Sequence, residues 1–326
     1  MTLNNQQASP SDPGTDGPRR VKPGDPAAAA IASALRTAVA RLRAADPAAQ
    51  NGEAEGVHRL RTSARRLRSE LRAFSDLVEP SWRAALEREL QWLGGALGNL
   101  RDLDILRAHF ETAARGDDAT PDNSKCCDES IPLRPLFDAL DARHEAASQA
   151  MREALQSDRC RRLFESLQQS AEHPPLRDDA DKPCRSVLPP LVQKSWKRFK
   201  KDAEDLDSDS PDSAFHEVRK RAKRTRYTAE LIAPTLGRRV SNKAKRFIRL
   251  TTAVQDVLGE HQDMTVAITE VENLLPRHLD DPEFQEAAKI LLARLRKTAD
   301  DSRSAFFDLW PKLAKKKTRR WLKRRD

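Results

Sequence analysis

The chain has little of what most enzymes and secreted proteins rely on. Aromatic residues make up 5% of it, with a single tyrosine, and glycine occurs 11 times in 326 residues. Four cysteines, Cys126, Cys127, Cys160 and Cys184, form no C-x-x-C or Cys/His pattern that suits zinc. Free thiols in a reducing cytoplasm are the expectation. No apolar run is long enough to span a membrane, and the first residues, "MTLNNQQASPSDPGTDGPRR", lack the apolar core of a signal peptide. No stretch alternates as a strand does. What remains is rich in Leu, Ala, Arg and Glu, and the expected class is all-α. Lys and Arg number 59 against 50 Asp and Glu, a net +9 that favours a polyanionic partner without choosing one.

Residues 1–25, rich in Pro, Gly, Ser and Asp, read as a disordered leader. Helical patterns follow, broken by "DPAAQNGEAEG", "RGDDATPDNSKCCDESIP" and "EHPPLRDDADKPCRS". The informative helix is "VHRLRTSARRLRSELRAF", Val57–Phe74, expected to run from about Glu55 to Val78. At roughly 100° per residue, Val57, Leu60, Ala64, Leu67, Leu71 and Phe74 share one arc. Arg61, Arg65, Arg68 and Arg72 fall within about 80° on the neighbouring side, next to His58. Like charges at i, i+3 and i+4 cost a helix a few tenths of a kcal/mol per pair, roughly. Solvated faces usually mix signs, as "RAALERELQW" does here.

The plan recurs in "FHEVRKRAKRTRYTAELI", Phe215–Ile232. At a constant offset of 158 (216 − 58), His58 falls on His216, Arg61 on Arg219, Arg65 on Lys223, Arg66 on Arg224 and Arg68 on Arg226. Glu230 stands where the first copy has Arg72. A second block repeats in the same order: "LGNLRDLDIL" from Leu97 and "LGEHQDMTVA" from Leu258 share L-G-x-x-x-D. The two halves read as a duplication, which predicts a pseudo-twofold arrangement. One basic stripe alone would be explained by internal partners such as Asp102, Asp104, Asp256, Glu260 or Asp263. Two stripes of one spacing ask for an external polyanion, whose phosphate oxygens suit arginine forks.

These blocks resemble the CHAD domain family, over roughly Ala28 to Trp310. The resemblance implies two pseudo-symmetric four-helix-bundle repeats (about 26–175 and 185–310 within a domain of 26–310) around a central basic cleft or pore. It implies binding of inorganic polyphosphate and, for some members, association with polyphosphate granules. The motif carries the binding role to His58, Arg61, Arg65, Arg66, Arg68 and Arg72, and to His216, Arg219, Lys223, Arg224, Arg226 and Tyr227. Arg88, Arg101 and Arg249 are weaker additions. The E-x-E-x-K strand signature of triphosphatase-bearing members is missing, so no catalytic residue, metal or cofactor is expected.

Two other functions fit parts of the sequence. A metal-dependent phosphohydrolase would need His58, Asp102, Asp104, His216, His261 and Asp263 to converge, although arginines beside both stripe histidines repel a divalent cation. A nucleic-acid binder would use the basic tail of 311–326, "PKLAKKKTRRWLKRRD", with Trp321 free to stack on bases. A cytoplasmic, granule-associated polyphosphate binder is the preferred expectation.

Overall fold

The computed structural model describes residues 20–115 and 131–322, and these are helical almost throughout. The first half builds α1 (Ala27–Gln50), α2 (Ala54–Ala73), α3 (Pro80–Arg115), α4 (Arg134–Gln156) and α5 (Asp158–Glu172). The second builds α6 (Cys184–Glu204), α7 (Asp212–Ile232), α8 (Arg238–Leu274) and α9 (Pro282–Ala314). Among the described residues the β-structure is limited to two isolated bridges, Pro26 with Pro183 and Val78 with Leu176. Cys126 and Cys127 lie outside the described residues; Cys160 and Cys184 are free and buried. Most of the expected leader, residues 1–19, also lies outside them. Its last residues are ordered against the start of α6, with Cys184 N donating to Asp25 O at 2.8 Å and Arg185 N to Pro23 O at 2.9 Å.

Local sequence explains the breaks. Ser157 caps α5 by accepting from Cys160 N at 3.2 Å, so what reads as one or two helices is two. Asp281 caps α9 through Phe284 N at 3.0 Å, and Pro282 follows at the first helical position. Gly237, at φ +94°, turns the chain from the end of α7 into α8. The basic helix stops at Ala73, five residues short of the expected end, because Phe74, Leu77 and Val78 leave the helix and bury themselves in a turn.

Packing places α2 and α7 side by side. α2 packs on α1 and α3, α7 on α6 and α8, and α2 and α7 touch each other. Gly56 lets α1 and α2 close up: a Cβ there would sit 2.5 Å from Ala48 and from Ala49 N. The apolar arcs expected from the wheel are core, with Leu60, Ala64, Leu67, Phe215, Ala222 and Ile232 fully buried. Each such leucine or phenylalanine contributes roughly 1.5–3 kcal/mol of burial.

Two apolar cores form, and each takes residues from both halves of the chain. The larger joins α1, α2, α5, α6, α7, the first part of α3 and α8, and the end of α9. The smaller joins Leu103, Leu106 and Phe110 of α3 and Leu136 and Leu140 of α4 to Met264 and Val271 of α8 and Phe284 and Leu291 of α9. The long helices α3 and α8 thus run through both cores and brace the walls on which α2 and α7 sit. The basic tail does not hang free. Trp321 and Leu322 are buried, the Trp321 ring lies 6.0 Å from that of Phe247, and Arg319 stacks over Trp196 at 4.2 Å. Trp321 is therefore not available for base stacking, which corrects the expectation placed on it; residues 323–326 lie outside the described residues.

Candidate anion-binding cleft

A cleft of about 640 Å³ opens where α2 and α7 meet the middles of α3 and α8. From α2 it is lined by Arg61, Arg65, Arg68 and Arg72, and from α7 by Arg219, Lys220, Lys223 and Arg224. The lining also includes Gln91, Asn99, Gln262, Asp102, Asp263 and His109. Eight cationic side chains thus share one cavity with two carboxylates.

Several of these cations lack internal neutralisation. Arg65, Arg68, Arg219, Lys223 and Arg224 form no ion pair with a carboxylate among the described residues, and the Nε atoms of Arg61 and Arg68 are buried without a hydrogen-bond acceptor. Burial, then the charge of Arg61, pushes Arg65 below the ordinary arginine range. Burial and Arg72 do the same to Arg68, and burial and Arg72 to Arg224. Lys223 shows the largest effect: burial first, then Arg65, Arg219, Arg226 and Arg61, bring its ammonium down to about 7. A protein that gathers like charges and withdraws them from water stores electrostatic free energy that an incoming polyanion releases.

One of the internal partners considered from sequence bonds to the stripe, and a second lies within its field. Asp102 Oδ1 accepts from Arg61 Nη2 at 2.6 Å. Asp263 has its carboxyl raised by burial, an effect opposed most by the charge of Arg219. Asp104 instead pairs with Arg101 at 3.6 Å and His144 at 3.2 Å, and Glu260 accepts from Ser302 at 3.2 Å.

The remaining sequence candidates do not line this cleft. Arg66 turns away to Glu70, whose buried carboxylate it shares with Arg41 at 3.0 and 3.1 Å, in an ion cluster that ties α2 to α1. Arg226 is held by Glu230 at 3.2 Å and Gln255 at 3.0 Å and stacks on Tyr227 at 4.4 Å. The glutamate that replaced Arg72 in the second copy thus occupies the arginine matched to Arg68. His58, Arg88 and Arg249 are exposed on their helices. His216 lines a separate shallow depression together with Gln262; burial and Lys220 hold its ring below the ordinary histidine value. It is therefore a poorer source of charge near neutral pH than its place in the motif suggests.

The repeat alignment missed Lys220, because the first copy has Thr62 at that position. It also missed a second cavity of about 370 Å³ that shares Ser69, Arg72 and Arg224 with the first. Arg83, Lys194, Arg198 and Arg221 line that cavity. The run "KSWKRFKK" in α6 was the available signal for two of these. The residues of the metal hypothesis do not converge: no group of three or more His, Cys, Asp or Glu able to hold a metal ion occurs among the described residues.

Comparison with known proteins decides the family. The family model described as the CHAD domain matches residues 33–272. The chain belongs to the CHAD domain family. Membership supports a general polyphosphate-related role. The CHAD domain from the plant Ricinus communis superposes with a TM-score of 0.68 at 24% identity, over 92% of this chain and 96% of that one. PptA from Streptomyces chartreusis superposes with a TM-score of 0.72 at 20% identity, over 88% of this chain and 100% of that one. Both likenesses concern the all-α CHAD fold. By sequence, an uncharacterized protein of Mycobacterium tuberculosis (MT2285, strain CDC 1551 / Oshkosh) is 28% identical over 251 residues. That match covers 75% of this chain but 44% of the relative, so the chain spans less than half of the relative's length. Among the described residues no helix of this CHAD protein is long and apolar enough to cross a membrane.

Proposed function

We propose that the protein binds inorganic polyphosphate in the cleft between α2 and α7, without catalysing its breakdown, as a component associated with polyphosphate granules. The observation that carries this is the cleft itself: eight cationic side chains, five of them without an ion-pair partner among the described residues, around about 640 Å³. A single small anion could neutralise a few of these charges. A linear polyanion with one charge per unit neutralises all of them in sequence, and the shared Arg72 and Arg224 carry its path onward to the second cavity. Arginine forks bind the phosphate oxygens with charge-assisted hydrogen bonds, and each contact releases condensed counterions.

The test is a calorimetric titration with polyphosphate of defined length, comparing the wild type with the combined Arg65→Gln, Arg68→Gln, Lys223→Gln and Arg224→Gln variant. Binding is expected to disappear in the variant while its melting temperature holds or rises. Unchanged affinity in a folded variant rules out this cleft. Competition by DNA separates the nucleic-acid alternative. DNA that displaces long-chain polyphosphate at equal phosphate concentration favours that alternative.

A further inference from the structure

The glycine of the repeated L-G-x-x-x-D block is used the same way in both halves. Gly98 on α3 and Gly259 on α8 lie beneath the two matched arginines of the stripe. A Cβ on Gly98 would stand 3.7 Å from Nε and Nη2 of Arg61; one on Gly259 would stand 3.5 and 3.6 Å from the same atoms of Arg219. A side chain larger than alanine at either position would lift the guanidinium off its helix. Four residues on, about one turn along the same face, come Asp102 and Asp263. Asp102 bonds Arg61 at 2.6 Å, and the Arg61 side chain is left 11% exposed. Asp263 forms no ion pair with Arg219 among the described residues and stands 4.0 Å from His109 Nε2 instead. Both carboxylates line the cleft. As an isolated charge Asp102 would oppose an anionic ligand, so its presence in a cationic cavity needs a reason.

We propose that Asp102 is a positioning residue: with Gly98 beneath, it holds Arg61 in place so that the guanidinium group is ordered before a polyanion arrives. The inference rests on the polyphosphate-binding function above. An arginine already held loses less rotamer freedom when the ligand binds, and a carboxylate that takes one edge of the fork leaves its other donors directed.

Two ideas predict opposite signs for one substitution. If Asp102 merely adds negative charge to the cleft, Asp102→Asn tightens polyphosphate binding. If it positions Arg61, Asp102→Asn weakens binding by about 3- to 10-fold, despite the added net positive charge. Titration of the full-length protein with defined-length polyphosphate reads this directly, with Asp263→Asn, which removes a cleft carboxylate that holds no arginine, as the control for charge alone. Arg61→Gln and the Arg61→Gln/Asp102→Asn pair complete a double-mutant cycle. The weakening is expected to vanish once Arg61 is gone. Unchanged or tighter binding by Asp102→Asn, or equal weakening in the Arg61→Gln background, overturns the proposal. A folded wild type that binds no polyphosphate overturns the function beneath it instead, so the two failures are distinct. Thermal melts of each variant confirm that folded proteins are compared.

Discussion

Lys223 concentrates the chemistry of the cleft in one side chain. Its ammonium is brought down to about 7 by burial and by four cationic neighbours. The unfolded chain holds this lysine near its ordinary value of 10.5, so between those limits the unfolded state binds more protons than the folded one. Stability contributed by this site therefore rises as pH increases from about 7 toward 10.5. A polyanion favours the charged lysine, so its affinity should fall across the same window. Lys223→Met is expected to raise the melting temperature below pH 7 and to flatten both trends; melts and titrations at pH 6, 7.5 and 9 check this. Arg68 and Arg226, equivalent by the 158-residue offset, separate on similar grounds. Arg68→Gln should weaken polyphosphate binding several-fold, while Arg226→Gln should change it little, because Glu230 and Gln255 already hold Arg226. Equal losses in a titration of the two variants would contradict that division.

The basic helix α2 serves two unrelated needs on adjacent faces. Its apolar arc is core, one basic flank lines the cleft, and Arg66 on the other flank joins the Glu70 cluster. Glu70 is buried and holds Arg41 and Arg66 together. Glu70→Ala should cost about 1–3 kcal/mol, because it strands partly buried donors, and should leave polyphosphate affinity near that of the wild type. Urea unfolding and a parallel titration distinguish this from a cleft residue. The wheel found the core arc and the stripe of α2 correctly, since both depend on spacing alone. It could not find that Arg66 pairs across to α1, or that α7 offers Lys220 and Arg224 where α2 offers Arg68 and Arg72. Those outcomes depend on how each helix is rotated against its neighbours. They depend also on single replacements such as Glu230 for Arg72.

For the molecule as a whole, the all-α class was readable because Leu, Ala, Arg and Glu dominate and no stretch alternates as a strand does. The two cores were not. α3 and α8 are each one long helix, but that their far ends meet in a second core with α4 and α9 is a contact between distant segments that periodicity does not encode. Trp321 was misjudged for the same reason: a basic neighbourhood suggested solvent, while packing on Phe247 buries it. The consequence of this architecture is a cationic cavity walled by packed helices, so the ionic contacts should be many and simultaneous. Counterion release makes the salt dependence a count of them, with log K falling by roughly 0.7 per contact per decade of salt for a flexible single-stranded polyanion. The deciding measurement is the affinity for defined-length polyphosphate from 50 to 500 mM salt, for the wild type and for the fourfold Gln variant of Arg65, Arg68, Lys223 and Arg224. The wild type should show a log–log slope of roughly −4 to −6, and any residual binding by the variant a slope shallower by roughly 3. Equal slopes and affinities for the two proteins would place the polymer somewhere other than the cleft between α2 and α7.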